Sequence, residues 1–419
     1  MNERITDFLD DVCSHIKYKK IHHEIRAELT EHILEAAEDI GVEQAVLQMG
    51  NSFEIGENLN QQHKPKTEWS IIGLIAAITA IGGIAMYASS HHQGYSFLNF
   101  SRYLILDGIG ILAMLGIYFF DYTKLKKFSL PIYCMAMIMI GMSLITGDEV
   151  NGRSFLSIAG INLSSEYAVV LFVIAFAGFV EKYHGQGFYA IIKLGLWGIF
   201  SFIAMITVSN TSGMVVLAIT YSVLVLVAVV RNDFGGSKKS QSISLFSFGI
   251  ASLFCVFSIT PNQQVISDSW FAVSQWFGGM NTVVSGREFL SSMPAMTTDY
   301  VLINIILIFG WAVGITLLAT ITLFIIRIFI TSKRIKNDYG FYLSLSAGMA
   351  LSAQFTINIL LNFNLIPLTG MSMPFVSYGG TGYIVNMVLV GTILAVWRRN
   401  NLLPKTQRQG QQWRQIYKA

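Results

Sequence analysis

Pro367-Leu-Thr-Gly-Met-Ser-Met-Pro-Phe-Val-Ser-Tyr-Gly-Gly380 is a polar, glycine-rich stretch between two long apolar runs near the end of the chain. The flanking runs, 339–361 and 379–397, are each long enough to cross a bilayer core of about 30 Å as helices. Irregular backbone next to membrane helices is tolerated where it packs in protein or lines a cavity. The pattern therefore predicts membrane helices joined by a loop that lines a cavity or contacts a ligand.

The remaining sequence extends this pattern over most of the chain. Of 419 residues, 53% are hydrophobic and only 13% are charged, and the mean hydropathy is +0.54. Such runs must be helical in lipid, and they lack the alternation of a transmembrane barrel. The sequence predicts an all-α polytopic membrane protein with ten transmembrane helices near 69–88, 103–120, 128–146, 166–181, 188–206, 213–230, 243–260, 300–326, 339–361 and 379–397.

The positions of the basic residues predict the orientation of these helices, because cytoplasmic loops are rich in Lys and Arg. The opposite loops hold only Arg153 and Arg287, with Arg102 at an edge. Both termini are therefore expected in the cytoplasm, with the loops at 147–165, 261–298 and 362–378 facing outward. The cations on the cytoplasmic side are Lys124, Lys126, Lys127, Lys182, Arg231, Lys238, Lys239, Arg327, Lys333, Arg334, Lys336, Arg398 and Arg399.

Composition divides the chain into three parts. Residues 1–66 carry seven Lys or Arg and thirteen Asp or Glu, and their apolar residues follow helical spacing. We expect a cytoplasmic helical prefix domain at 1–66, a ten-helix membrane domain at 67–400 and a basic cytoplasmic tail at 401–419. The prefix is expected to bind a cytoplasmic partner or to tune the membrane domain.

The histidines and cysteines suggest little chemistry of their own. His15, His22, His23 and His32 fit the solvated faces of a small bundle better than a metal site. Three scattered cysteines show no metal or redox spacing and are expected to be inert core residues.

The loop after the ninth run contains the first group of candidate site residues. Gln354 and Asn358 lie one helical turn apart and share one face of the helix. Polar groups in such positions turn toward protein or a cavity. The alternative is a packed re-entrant turn whose glycines only allow close helix approach. The loop candidates are Pro367, Gly370, Pro374, Ser377, Tyr378, Gly379 and Gly380.

These motifs resemble the SEDS family, which includes the RodA, FtsW and SpoVE proteins. The similarity lies in Gln-xxx-Asn, Pro-x-Thr-Gly and Pro-Phe-x-Ser-Tyr-Gly-Gly, and it extends over roughly residues 70–400. The resemblance implies ten spans with both ends cytoplasmic. It also implies polymerisation of lipid II into peptidoglycan strands, together with a class B penicillin-binding transpeptidase.

A second segment, between spans 3 and 4, matches the family in part. Arg153 precedes Ser165-Glu166 by the family's spacing, and by resemblance Arg153 and Glu166 shape the lipid-sugar cavity. In the family a Lys follows three residues after this Glu, and here the residue is Val169. Before span 6, the family's Pro-Asp-x-Gly reads Asn210-Thr-Ser-Gly213, so only the glycine is kept.

The third segment ends in Pro294-Ala-Met-Thr-Thr-Asp299, which is similar to the family's Pro-x-x-His-Thr-Asp. By resemblance, Asp299 is the essential acid. A carboxylate near a low-dielectric boundary suits general-base work. The alternative is that Asp299 or Thr298 caps the eighth helix. Thr297 replaces the family's His, while Leu307 and Ile308 replace its Glu pair.

The leading hypothesis is therefore a SEDS-like glycosyltransferase in which Asp299 deprotonates the acceptor hydroxyl of lipid II and undecaprenyl pyrophosphate leaves. Arg153 and Arg287, or a divalent cation, would screen the pyrophosphate. Asp107 is a further intramembrane candidate. Two alternatives stay open: a non-catalytic paralogue that binds lipid-linked precursor or a transpeptidase, and a flippase of lipid-linked sugars.

Overall fold

The computed structural model describes residues 3–62, 64–92, 97–146, 148–150, 153–158, 161–235, 297–363, 365–366, 371–377 and 380–402. The chain forms two compact units. The first unit comprises Met1–Thr67, Ile335–Asp338 and Trp397–Ala419. The second comprises Glu68–Arg334 and Tyr339–Val396.

The N-terminal part of the first unit is a small helical bundle with an apolar core. One face of its first helix buries Ile5, Leu9 and Val12, at the helical spacing seen in the sequence. Gly41, at φ +80°, ends the second helix and donates its N–H to Ala37. The helices are α1 Glu3–Ser14, a 3₁₀ turn Lys19–Ile21, α2 His22–Ile40, α3 Val42–Gln48 and α4 Ser52–Gln62.

The cysteines differ from the prediction that all three are core residues. Cys13 is 2% exposed, and burial raises the pKa of its thiol above the ordinary value. Cys134 is exposed on a helix whose apolar face would contact lipid, so the core prediction is wrong for this residue. Cys255 lies outside the described residues.

Long apolar helices form most of the second unit. Their sequences are apolar all round, as expected for segments surrounded by lipid and by each other. Together with the short α7 and α12, the helices of the described chain after the bundle are α5 Trp69–His92, α6 Phe97–Phe119, α7 Thr123–Lys127, α8 Ser129–Thr146, α9 Glu166–Lys182, α10 Phe188–Thr207, α11 Thr211–Val230, α12 Val301–Phe309, α13 Trp311–Lys333, α14 Asp338–Asn362 and α15 Gly380–Arg399.

Within the described residues, six helices are long and apolar enough to cross a membrane: α5, α6, α10, α11, α13 and α14. The predicted spans 128–146, 166–181 and 379–397 coincide with α8, α9 and α15, which fall outside those six. The predicted span 243–260 lies outside the described residues. The helical membrane architecture is confirmed, and the number of ten spans stays a prediction.

The predicted eighth span, 300–326, is wrong in its bounds. Gly310, at φ +81°, separates the short α12 from α13, and the candidate span is Trp311–Lys333. Arg327 lies inside α13, where its Nη2 is 2.6 Å from Glu68 Oε1. Hydropathy cannot detect the break because the sequence is apolar on both sides of the glycine.

A small antiparallel sheet occupies the segment predicted as the loop 147–165. Its strands are β1 Asp148–Val150, β2 Arg153–Ile158 and β3 Ile161–Ser164, in the order β1-β2-β3. Val150 pairs with Arg153, and Ile158 pairs with Ile161. In the sequence, Asn151-Gly152 is typical of a connection between two antiparallel strands.

Glycines allow close contact at several helix crossings of the second unit. A Cβ on Gly391 would lie 2.8 Å from the carbonyl oxygen of Met114, and one on Gly178 would overlap Ser129. A Cβ on Gly82 of α5 would lie 2.8 Å from Val376 Cα and 3.0 Å from Phe375 O. The backbone of segment 371–377 therefore packs directly on α5, as small residues permit in membrane proteins.

We expect Gly82→Ala to lower the thermal unfolding temperature of the purified protein in detergent, because the added methyl group meets backbone that cannot rotate away. Gly83→Ala is the matched control. Its Cβ would meet nothing nearer than 3.8 Å, and alanine favours a helix over glycine by about 1 kcal/mol. Equal effects of the two substitutions would contradict the close packing.

Candidate functional site

Two buried amides at the end of α14 bind the backbone just before α12. Asn358 and Asn362 are both 0% exposed. The Nδ2 of each donates to the carbonyl oxygen of Asp299, and both distances are 2.9 Å. Asn362 also donates to Asn358 Oδ1 at 3.0 Å. The predicted site residue Asn358 is thus in direct contact with the predicted acid, through the main chain.

Asn358 also connects this segment to the stretch 367–380 quoted above, here called the motif loop, of which residues 371–377 are described. Asn358 Nδ2 also donates to the carbonyl oxygen of Met371 at 2.5 Å. Ser377 is 2% exposed, and its Oγ donates to the carbonyl oxygen of Thr298 at 2.5 Å while accepting the Met373 N–H at 2.7 Å. Segment 371–377 is therefore linked to Asp299 through Asn358 at its first residue and bonded directly to Thr298 at its last.

Phe375 stabilises the loop from inside. It has a positive φ of +63°, which is uncommon for a residue with a side chain, and it is 1% exposed. Its ring lies 6.1 Å from those of Phe324 and Phe355 and 6.2 Å from that of Tyr383. Packing of this kind can hold a strained backbone in place. Pro374, a predicted site residue, is buried beside it.

Asp299 is half-buried and lies one residue before the N-cap of α12. The N-cap residue is Tyr300, whose side chain makes no capping hydrogen bond. The Ile303 N–H is accepted by Asn362 Oδ1 at 3.1 Å. Asn362 of α14 therefore caps one N–H in the first turn of α12, and the N-cap position belongs to Tyr300 rather than to Asp299 or Thr298.

Glu166 lies against the first turn of α15. A Cβ on Gly382 would lie 2.5 Å from Glu166 Oε2 and 3.5 Å from Ser372 Oγ. Glu166 is the first residue of α9, and the preceding Ser165 accepts a hydrogen bond from Asn210 Nδ2 at 2.8 Å. The Glu166 carboxylate therefore lies close to Ser372 of the loop, and the Asp299 main chain is linked to Met371 of the same loop through the Asn358 amide.

Packing explains two of the departures from the family motifs. Val169, where the resemblance expects a Lys, is 6% exposed, and its Cγ2 would be 2.8 Å from a Cβ on Gly213. Asn210 caps α11 by accepting the Gly213 N–H at 2.7 Å. The apparently lost motif Asn210-Thr-Ser-Gly213 thus keeps a helix cap, while position 169 has become part of an apolar contact.

Asp107 has a specific partner in the last helix. Tyr383 of α15 donates its hydroxyl hydrogen to Asp107 Oδ1 of α6. The same hydroxyl lies 3.3 Å from Thr79 Oγ1 of α5. The Tyr383 hydroxyl therefore links α15 to α5 and α6, and the Tyr383 ring packs against Phe375 of the motif loop.

The other predicted site residues are placed less completely. Arg153 begins β2, and only its backbone is described. Gln354 is half-buried one turn before Asn358, and Gly380 begins α15. Leu307 and Ile308 are half-buried in α12, and Thr297 is 5% exposed. Pro367, Gly370, Tyr378, Gly379 and Arg287 lie outside the described residues.

Sequence reasoning missed Asn362, Ser372 and Gly382. Asn362 continues the 354, 358 spacing by one more turn, so the same i, i+4 rule indicates it. Gly382 follows the motif directly in the sequence, but no sequence signal relates it to Glu166. Among the described residues, no group of three or more His, Cys, Asp or Glu is placed so that it could hold a metal ion.

We expect Asn362→Leu to destabilise the protein, because it removes a donor to Asp299 and leaves the Ile303 N–H without its acceptor. Unsatisfied buried polar groups cost roughly 1–3 kcal/mol each. Ser352→Ala is a control in the same helix, since Ser352 Oγ donates to the carbonyl oxygen of Gly348 in its own helix at 2.7 Å. Thermal unfolding in detergent measures both. A smaller loss for Asn362→Leu than for Ser352→Ala would contradict the assigned contacts.

Comparison with known proteins gives a consistent result. The model of a family described as "Cell cycle protein" (FtsW, RodA, SpoVE) matches residues 67–402. The chain is 21% identical over 380 residues to "Probable peptidoglycan glycosyltransferase FtsW" of Trichlorobacter lovleyi, covering 80% of this chain and 93% of that protein. The protein of the same name in Legionella pneumophila is 23% identical over 393 residues, covering 83% and 98%.

Solved structures share the fold. A chain from "Structural coordination of polymerization and crosslinking by a peptidoglycan synthase complex" superposes with a TM-score of 0.65 at 17% identity, covering 80% of this chain and 98% of that one. The rod shape determining protein RodA of Thermus thermophilus gives 0.59 at 18% identity, covering 79% and 97%. With the family model matching most of its length, this chain belongs to the FtsW/RodA/SpoVE family of membrane proteins.

Proposed function

We propose that the protein is a peptidoglycan glycosyltransferase that polymerises lipid II at the outer face of the bacterial plasma membrane. The observation that carries the proposal is the attachment of the motif loop to the backbone of Asp299, with Glu166 at the same loop. The named relatives are probable peptidoglycan glycosyltransferases, which supports the same activity.

The reaction needs a base and a leaving group. The acceptor hydroxyl oxygen of lipid II attacks the anomeric carbon of the lipid-linked strand, and the bond from that carbon to the pyrophosphate oxygen breaks. The proton of the hydroxyl passes to the Asp299 carboxylate, and undecaprenyl pyrophosphate leaves with the bonding electrons. General-base catalysis of this type contributes about 10²–10⁴-fold to a rate.

The contacts of Asp299 suit this role. The carbonyl oxygen of Asp299 accepts two amide hydrogen bonds, and the preceding carbonyl, of Thr298, accepts one from Ser377. The main chain is therefore held on both sides of the Asp299 Cα. A base must be held within a fraction of an ångström of its working position to be effective. We assign Arg153 to the pyrophosphate as a cation, and Glu166, Gln354 and the 367–380 loop to the lipid-sugar cavity.

A transpeptidase of the class B penicillin-binding type is the proposed partner. The related solved chain belongs to a peptidoglycan synthase complex whose description names both polymerisation and crosslinking. Polymerised strands need crosslinking to become a wall, so the two activities are needed together.

A second candidate, a non-catalytic member of the family, is favoured by one observation. Val169 is buried against Gly213, where the resemblance expects a charged Lys. Such a protein would bind lipid-linked precursor or the transpeptidase and regulate wall synthesis. It would bind lipid II with the same affinity before and after Asp299→Asn and would show no polymerisation in either form.

We expect Asp299→Asn to reduce lipid II polymerisation by about 10²-fold or more, because the amide cannot accept the proton. Purified protein with its transpeptidase and labelled lipid II provides the assay. Asp338→Asn is the control, since Asp338 begins α14 at the end away from Asn358 and Asn362, and it should keep most of the activity. Full activity of Asp299→Asn would exclude the proposed base.

We expect Gly382→Ala to displace the Glu166 carboxylate, because the new methyl group would lie 2.5 Å from Oε2. The end of a flexible side chain moves easily, so polymerisation should fall while the unfolding temperature changes little. In a Glu166→Ala background the same substitution should have no further effect on activity. Additive losses in this double-mutant cycle would mean that Gly382 acts independently of Glu166.

A further inference from the structure

The first unit contains a cavity of about 400 Å³ that the family resemblance does not involve. Three stretches of chain that are far apart in sequence form its walls: the turn after α1, the end of α4 with its linker, and the end of α15. Its volume falls in the usual range of ligand sites, roughly 300–1,000 Å³. The described lining residues are Lys17, Tyr18, Asn60, Lys64, Pro65, Arg398, Arg399 and Leu402.

The charge of the lining is opposite to that of the surrounding domain. Four of the eight described lining residues are cations, Lys17, Lys64, Arg398 and Arg399, and none of the eight is acidic. Residues 1–66 as a whole carry seven Lys or Arg and thirteen Asp or Glu. Four cations around one space favour the binding of an anion there.

Hydrogen bonds fix the walls of this cavity. Asn60 is 7% exposed, and its Oδ1 accepts the main-chain N–H of Lys17 at 3.2 Å, which holds the turn after α1 to α4. Asn400 is also 7% exposed, and its Oδ1 accepts the Lys336 N–H at 2.8 Å. The Leu402 N–H bonds to the Arg399 carbonyl at 2.9 Å. The basic side chains therefore extend from main chain that is held in place.

We propose that this cavity binds a phosphate-bearing anion. Guanidinium groups match the geometry of phosphate oxygens, and lysines add point charges. The cavity is larger than one phosphate group, so it has room for an organic group attached to it, next to the Tyr18 ring. The ligand is either a phospholipid headgroup or a soluble phosphorylated compound.

One feature of the sequence favours the headgroup. Arg398 and Arg399 follow directly on the apolar run 379–397, the position at which basic residues meet anionic headgroups. This inference does not depend on the proposed glycosyltransferase activity, because no residue of the candidate site lines the cavity.

The test uses the full-length protein purified in a neutral maltoside detergent. Thermal unfolding is followed as dioleoyl-phosphatidylglycerol, dioleoyl-phosphatidylcholine or inorganic pyrophosphate is added at constant ionic strength. A ligand that binds only the folded state raises the unfolding temperature in proportion to its occupancy. Lys17→Gln/Lys64→Gln removes two lining cations that are both exposed, so folding should be unaffected.

The matched control is Lys19→Gln/Lys66→Gln, which removes two exposed charges close by in sequence that do not line the cavity. We expect phosphatidylglycerol to stabilise the wild type and this control equally, with at least a fivefold weaker apparent affinity in Lys17→Gln/Lys64→Gln. Stabilisation by phosphatidylglycerol but not by pyrophosphate would identify a headgroup site, and stabilisation by pyrophosphate would identify a site for soluble phosphate compounds.

Three results would overturn the proposal. The first is no stabilisation of the wild type by either anion. The second is an equal loss in the two double variants, which would indicate diffuse attraction between a basic surface and any anion. The third is equal stabilisation by phosphatidylcholine and phosphatidylglycerol, both with unchanged affinity in Lys17→Gln/Lys64→Gln.

Discussion

The carbonyl oxygen of Asp299 accepts hydrogen bonds from two fully buried amides, Asn358 and Asn362, and the candidate site depends on this contact. It joins the end of α14 to the start of α12. Asn358 extends the connection to Met371 and hence to the motif loop. In apolar surroundings an unpaired carbonyl or amide is costly, so the members of this network are not interchangeable with apolar residues.

Hydropathy predicted the six described helices that can cross a membrane, because the cost of exposing peptide groups to lipid leaves no other structure for such runs. It could not detect the break at Gly310, because hydropathy averaged over neighbouring apolar residues carries no information on the positive φ of one glycine. The sheet at 148–164 was missed although Asn151-Gly152 is a hairpin signal, because hairpin signals carry weight only beside recognisable strands.

Part of the site followed from the sequence. Asn358 and Ser377 were indicated by polarity where apolar residues are expected, and both contact the segment containing Asp299. The same i, i+4 spacing could have indicated Asn362. Spacing could not have indicated the contact between Glu166 and Gly382, because contacts between helices distant in sequence depend on how the helices cross. Asn210 looked like a lost motif residue, whereas its side chain still supplies the cap that an Asp would supply.

The bend at Gly310 has a consequence for how a substrate could reach the acid. At 1.5 Å per residue, the 23 residues of α13 extend about 35 Å, which already exceeds the apolar thickness of a bilayer. The nine residues of α12 therefore do not lengthen that crossing, and Ile306 instead packs against Gly314 in the first turn of α13. Val301 to Ile306 are all buried, so a substrate cannot approach the acid across this short helix without displacing packed protein.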